Sequence, residues 1–427
     1  MFRIKAIRKS LRILFANLTV IFAVFFIIWI SFIPEPLKYR YDISVKLVLI
    51  ALLALSLLKH KFDLKDYFIY KNKLFWIYLF LFSLNIWFAK DRLTAYKYYS
   101  DFIIMAVLIY FLIINEFKTE YIKKILYFLC LCATLVSLIG FLEMIFKSNI
   151  IYERFIDNYY YGRFIFQGRM MSTLIHPNIL GSYFIGCIPL SFYFYKKATG
   201  SSRYVNLAIF LFILSGAFLT FSRGTWFACL IMISIVMLVK KRVAWLIFIW
   251  VAALLFSLLV SYPFFSENFR YRFGMEYLWE YLKSGHRTNA YIATVRMIEQ
   301  HPFVGVGLNH YRMLFNQYLN ISLPRELIIP DSIYLMHLAE AGLLGFAGFI
   351  IFLTDIIKKG SYCCRNLNSD FKDMSFAILV GFAALLFNMA FFDGFLWKTP
   401  FYLFWLSVGI LGALYKNSYS SATLSHE

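Results

Sequence analysis

The chain has 427 residues, 61% of them hydrophobic and only 15% charged, with a mean hydropathy of +0.69. Soluble domains sit nearer roughly half apolar and a quarter charged, so this composition excludes a soluble globular protein. The net charge of +20 would suit nucleic acid, but the lysines and arginines lie in short loops between apolar stretches, where membrane orientation accounts for them.

In chain order, Met1–Arg12 is basic and runs into a long apolar stretch without a small-residue cleavage site. That pattern predicts a first membrane helix, not a removed signal. Taking ~15–25 apolar residues as one helix, about twelve spans are expected. They fall near 13–33, 43–58, 74–89, 101–117, 125–146, 179–195, 205–220, 225–239, 243–261, 332–357, 375–397 and 399–415. With the amino terminus in the cytoplasm, the inside segments carry 24 of the 43 lysines and arginines. The short loops Lys240-Lys241-Arg242 and Lys358-Lys359 mark that side most clearly. The bias predicts a multi-pass membrane protein with both termini cytoplasmic.

The chain thus divides into nine spans over 1–261, a large extracytoplasmic loop at 262–331, three spans over 332–415 and a short polar cytoplasmic tail at 416–427, read as disordered. A second outer loop covers 147–178, and a tight outer turn covers 221–225. Loops longer than ~15 residues tend to carry function or to be disordered. The large loop is not low-complexity. Arg287 to Gln300 reads as an amphipathic helix with Tyr291, Val295 and Ile298 on its apolar face, stopped by His301-Pro302 and followed by a glycine turn at Gly305 and Gly307. The six cysteines include no CxxC pair, so neither a zinc site nor a disulfide framework is indicated.

Four outer motifs carry the chemistry. In Phe221-Ser222-Arg223-Gly224-Thr225, Ser222 can cap a helix whose free N–H groups point outward beside Arg223. Such an arrangement suits a phosphate or diphosphate, although an arginine there would also snorkel to lipid headgroups. Arg287 opens the loop helix. Arg296 lies nine residues on, about half a turn out of phase at ~100° per residue, so the two cannot share one ligand from one face, and Arg287 is the candidate. Asp331-Ser332 opens the tenth span, followed by His337 and Glu340 on one helix face. Either Asp331 or Ser332 serves as the cap, and a carboxylate there can take a proton from a hydroxyl. His337 and Glu340 inside a span face a bundle interior or a cavity, as substrate or packing residues. The fourth motif sets Arg169 and Ser172 before His176-Pro177-Asn178, where a turn and a cap are the simplest reading.

Metal and nucleotide signatures are missing. The first outer loop holds Glu35 and Asp42, seven apart, with no DxD-like pair, and there is no P-loop or HExxH. No metal and no cofactor is expected.

These pieces in this order resemble the O-antigen ligase and polymerase family. The matching stretches are RMMSTLIHPNILGSY (169–183), FSRGTW (221–226), the 287–309 stretch ending in HPFVGVGLN, and DSIYLMHLAEAGLLG (331–345). The resemblance implies an all-α polytopic protein of a bacterial inner membrane with a GT-C-like, metal-independent glycosyltransferase fold, a periplasmic active site, and an undecaprenyl-diphosphate-linked glycan as donor. It assigns Arg223 and Arg287 to the diphosphate. Ligases of the family usually carry a histidine followed by asparagine where this chain has Asp331-Ser332. Asp331 is then the candidate base, with His301 or His337 as replacements, and Arg169, His176, Asn178, His301, His337 and Glu340 as substrate-side residues. Three acceptor classes stay open: lipid A-core for a ligase, a second lipid-linked repeat unit for a polymerase, and protein. A flippase or exporter also fits about twelve spans, but the arginines of interest lie at the outer surface instead of along a midplane pathway.

Overall fold

The computed structural model describes residues 18, 20–60, 63, 68, 72–148, 168–260, 270, 285–319 and 331–424. Much of both expected outer loops, at 149–167, 261–269, 271–284 and 320–330, lies outside the described residues. The described part is helical, without a strand. In chain order the helices are α1 (Val20–Phe32), α2 (Glu35–Arg40), α3 (Asp42–Lys59), α4 (Lys73–Ser83), α5 (Asn85–Phe88), α6 (Arg92–Glu116), α7 (Thr119–Phe146), α8 (Pro177–Lys197), α9 (Ser201–Leu219), α10 (Arg223–Val239), α11 (Val243–Val260), α12 (Gly285–Gln300), α13 (Tyr311–Leu319), α14 (Ile333–Asn366), α15 (Ser369–Asn388) and α16 (Lys398–Leu424).

Four of these, α6, α7, α9 and α14, are long and apolar enough to cross a membrane; α1, α4–α5, α10 and α11 are shorter and apolar. On α11, Trp245, Phe248 and Leu255 all stay exposed, as suits a helix whose solvent is lipid. Inside, aromatic side chains fill the space between α4, α6, α14 and α16. Phe75 stacks on Tyr110 at 4.7 Å and Tyr78 on Phe352 at 5.5 Å, with Trp405 buried beside them. Small residues let the backbones approach. A methyl on Gly409 would lie 2.8 Å from Ile113, and one on Gly348 3.2 Å from Leu81.

Two expectations change here. The tail does not end the last helix at Tyr415, because α16 runs on to Leu424. Lys416 Nζ donates to Asn115 Oδ1 at 2.8 Å, and Asn417 Nδ2 to the Phe117 carbonyl at 3.2 Å, so the extra turns are tied to the end of α6. In α12 the buried face does not include Tyr291 and Val295, and Ile298 lies only at its edge. The face is Ala290, Ala293, Thr294 and Met297, while Val295 is 51% exposed. Small side chains win this face because they let α12 close on α13, where the Thr294 and Tyr311 hydroxyls hydrogen-bond at 2.8 Å.

Candidate functional site

The site begins with a break in a helix. AEAGLLG (339–345) reads as continuous helix, yet Gly342 has φ 65° and ψ −171° and divides α14 in two. A break in an apolar helix strands carbonyl and amide groups, which must find partners. The HPFVGVG turn supplies them. Val306 N donates to the Ala339 carbonyl (2.9 Å) and Gly307 N to the Glu340 carbonyl (3.1 Å). In return, Leu343 N and Leu344 N donate to the Pro302 and Phe303 carbonyls at 2.8 and 3.0 Å. Gly305 (φ 71°) and Gly342 sit back to back, and a Cβ on either would collide with the backbone of the other segment. Both glycines are required by positive φ and by close approach.

Asn85, buried at the start of α5, locks this splice. Its Nδ2 donates to the Val304 and Glu340 carbonyls, and its Oδ1 accepts from Leu308 N at 2.6 Å. His310 adds a second tie: Nδ1–H donates to the Leu308 carbonyl (2.8 Å), and Nε2 accepts from Asp91 N (3.0 Å).

A second group of residues forms around the SRG turn. Ser222 is the cap of α10, accepting from Thr225 N at 3.5 Å, and Arg223 is the first helical residue, half-buried. Gly224 fits against Asn388 at the end of α15, and Asn388 Nδ2 donates to Ser182 Oγ of α8 at 2.8 Å. Arg169 is buried; its Nε donates to the Thr220 carbonyl (3.0 Å) and its NH2 to Asn178 Oδ1 (3.1 Å). Arg169 and Asn178 therefore hold the turn in place. His176 is the cap of α8 through Nδ1, which accepts from Asn178 N (3.2 Å), and its ring stacks on Trp397 at 5.5 Å. Glu143 receives Met171 N and Ser172 N at 3.3 and 2.5 Å, which explains a buried acid near the end of α7.

The two groups meet through the start of α14. Ile333 N donates to the Met389 carbonyl at 3.0 Å. Ser332, not Asp331, is the cap of α14, accepting from Leu335 N. Asp331 sits one residue earlier at φ 48° and is half-buried.

Between the α13 start, the first half of α14 and residues 393–396 lies a cleft with ≈ 500 Å³ of atom-free space, its mouth included, lined among others by Phe82, Tyr98, Arg312, Glu340, Asp393 and Phe395. Glu340 Oε1 accepts from Tyr311 N at 3.0 Å and so positions α13. His337 is caged by Phe82 and Phe349 at 5.3 and 4.8 Å; Nδ1–H donates to the Ile333 carbonyl, and Nε2 faces the Tyr78 hydroxyl at 3.5 Å. Asp393 is 2% exposed, and its Oδ2 has no hydrogen-bond partner among the described residues. Burial pushes its carboxyl up to about 7, against the lowering pull of the Phe395 amide and Arg312.

The sequence placed Asp393 inside an eleventh span. In the structure α15 ends at Asn388, which leaves Asp393 in the connection to α16. An acid beside glycine in an apolar run was the available signal. Arg287 stands in the first turn of α12, and its side chain lies outside the described residues. His301 is exposed at the end of α12. The acids of the segment expected as the first outer loop have structural work: Glu35 accepts from Lys398 N and Thr399 N at 3.0 and 2.9 Å, and Asp42 pairs with Lys46 and Lys398.

Against this geometry, residues 208–350 match the family model for O-antigen ligase. That agrees with the resemblance, and three of its four motif stretches lie inside the match, the 169–183 stretch lying before it. The match takes in the SRG turn, α12, the glycine splice and the first half of α14. With the apolar helices it supports a membrane protein with a glycan-processing function. No curated protein matches the chain.

Proposed function

We propose that the chain is an inverting, metal-independent glycan transferase of the inner membrane, working on the periplasmic face. An acceptor sugar hydroxyl attacks the anomeric carbon of an undecaprenyl-diphosphate-linked glycan. The new glycosidic bond forms on the opposite face as the bond to the diphosphate oxygen breaks, and the hydroxyl proton passes to Asp331. Undecaprenyl diphosphate leaves with its charge stabilised by Arg223 and Arg287. The observation that carries this reading is the SRG turn: an arginine at the first position of a serine-capped helix, inside the O-antigen ligase match. Free amides, the helix dipole and a guanidinium all favour a diphosphate there. Ser332 takes the cap of α14, so Asp331 is not the capping residue.

The preferred acceptor is lipid A-core, with a second lipid-linked repeat unit as the alternative. A deletion strain separates them: long glycan held on undecaprenyl diphosphate marks a ligase, and loss of the glycan ladder from the lipid fraction marks a polymerase. The direct test is transfer from undecaprenyl-diphosphate glycan by purified protein in EDTA. Wild type should transfer, and Arg223→Ala and Arg287→Ala should each lose about 100-fold or more. Folded wild type that transfers to none of the three acceptors would overturn the reading.

A further inference from the structure

The cleft between α13, the first half of α14 and residues 393–396 holds more chemistry than the transfer step uses. Its walls combine three features. Two acids, Glu340 and Asp393, are both buried, at 6% and 2% exposure. One cation, Arg312, is exposed at the α13 end of the cleft and has no ion pair among the described residues. Apolar ring surface comes from Phe82 and Phe395. Asp393 Oδ2 lacks a partner, although buried polar atoms nearly always have one. Burying a carboxylate oxygen unsatisfied costs stability, so its persistence at a cleft wall marks a place where a ligand's donor is to go.

The signs of the charges narrow that ligand. A phosphate or carboxylate would meet two acids, and an ammonium would meet Arg312. A neutral, hydroxyl-rich ring suits all three groups: its hydroxyls donate to the acids and accept from the guanidinium, while its C–H faces lie on aromatic rings. We propose that this cleft is a subsite for an uncharged sugar ring, in which Asp393 accepts hydroxyl hydrogen bonds, Arg312 donates to the ring's oxygens, and Phe82 and Phe395 form the apolar walls. The inference rests on the transferase reading above and deepens it, because the ring in this subsite would be the acceptor sugar. Asp393 lies beyond the stretch that matches O-antigen ligase.

The test is sugar binding, read separately from transfer. Wild-type protein in nanodiscs would be examined by saturation-transfer difference NMR with the methyl glycosides of glucose, galactose and N-acetylglucosamine, and with glucuronate and glucosamine as charged counterparts. At least one neutral glycoside should bind more tightly than either charged sugar. At pH 8, where the carboxylate is charged, Asp393→Asn, close to isosteric, should weaken it about tenfold, the loss expected of a hydrogen bond to a charged group. Arg312→Ala, at an exposed position, guards against a folding artefact and should weaken it several-fold. Binding by none of the neutral glycosides, or binding unchanged in Asp393→Asn, would overturn the subsite. Arg223→Ala should still bind the glycoside while losing transfer. Wild type that binds sugar in an Asp393-dependent way but transfers nothing would therefore sink the transferase reading alone. Transfer with Asp393-independent sugar binding would sink the subsite alone.

Discussion

Two acidic corners of this protein make opposite use of buried carboxylates. In the first, Glu35 is 1% exposed and faces Lys38, which is fully buried; Lys38 Nζ reaches Glu35 at 3.4 Å, the Ile30 carbonyl at 3.0 Å and the Thr399 hydroxyl. Glu35 also holds the first amides of α16, and Asp42 next to it binds Lys398 at 2.9 Å. Each acid there has a cation and serves to fix α2 and α3 against α16. In the second corner, Glu340 and Asp393 have no ion-pair partner among the described residues, and one oxygen of Asp393 has no hydrogen bond. Glu35 and Asp393 are buried alike. The difference lies in satisfaction, and an acid left unsatisfied at a cleft is the one available to a ligand.

The comparison breaks most severely at Glu35. Glu35→Gln strands Lys38 in the interior, which should cost about 3–5 kcal/mol, as for other buried pairs that lose one partner. The check is thermal unfolding in detergent, and a variant melting like wild type would show that the first corner is not ion-paired in solution.

Next in size is the pH response of the second corner. Asp393 titrates at about 7 when folded and near ~3.9 when unfolded. The folded state thus holds the proton more tightly, and stability is lost as pH rises from about 4 through 7. Arg312 and Asp331 both act on this group, the first lowering its pKa and the second raising it. At roughly 1.4 kcal/mol per unit, Asp393→Asn should gain on wild type by up to about 4 kcal/mol between pH 4 and pH 8. A constant difference across that range would contradict the assignment.

Gly342→Ala tests the splice that brings the second corner together. A side chain there collides with the Phe303 carbonyl at a positive φ, so about 3 kcal/mol should be lost together with binding at the cleft. The smallest effect belongs to the far end of the bundle. Lys123 and Asp370 pair at 2.7 Å but are 42% and 38% exposed, so Lys123→Ala should change stability by less than about 1 kcal/mol.

Much of the fold was legible because hydropathy follows the membrane's thickness. The Lys240–Arg242 turn falls between α10 and α11 as expected, and the Ser222 cap was readable from the residue type. The glycine splice was not. A lone glycine in AEAGLLG is tolerated in a helix, and only the approach of Gly305, 37 positions earlier in the chain, turns it into a break. The wrong face of α12 has the same origin: Ala and Thr look less apolar than Tyr and Val, yet close packing selects small residues. The turn and cap read at His176-Pro177-Asn178 are there, but His176 is the capping residue and Asn178 accepts from Arg169 instead.

The measurement closest to the central claim is transfer from undecaprenyl-diphosphate glycan in EDTA by wild type, Arg223→Ala and Arg223→Lys. The account predicts transfer by wild type, a loss of about 100-fold or more in Arg223→Ala, and partial recovery in Arg223→Lys, where the charge returns without the guanidinium fork. Equal transfer by all three would contradict the role of the SRG turn in holding the diphosphate.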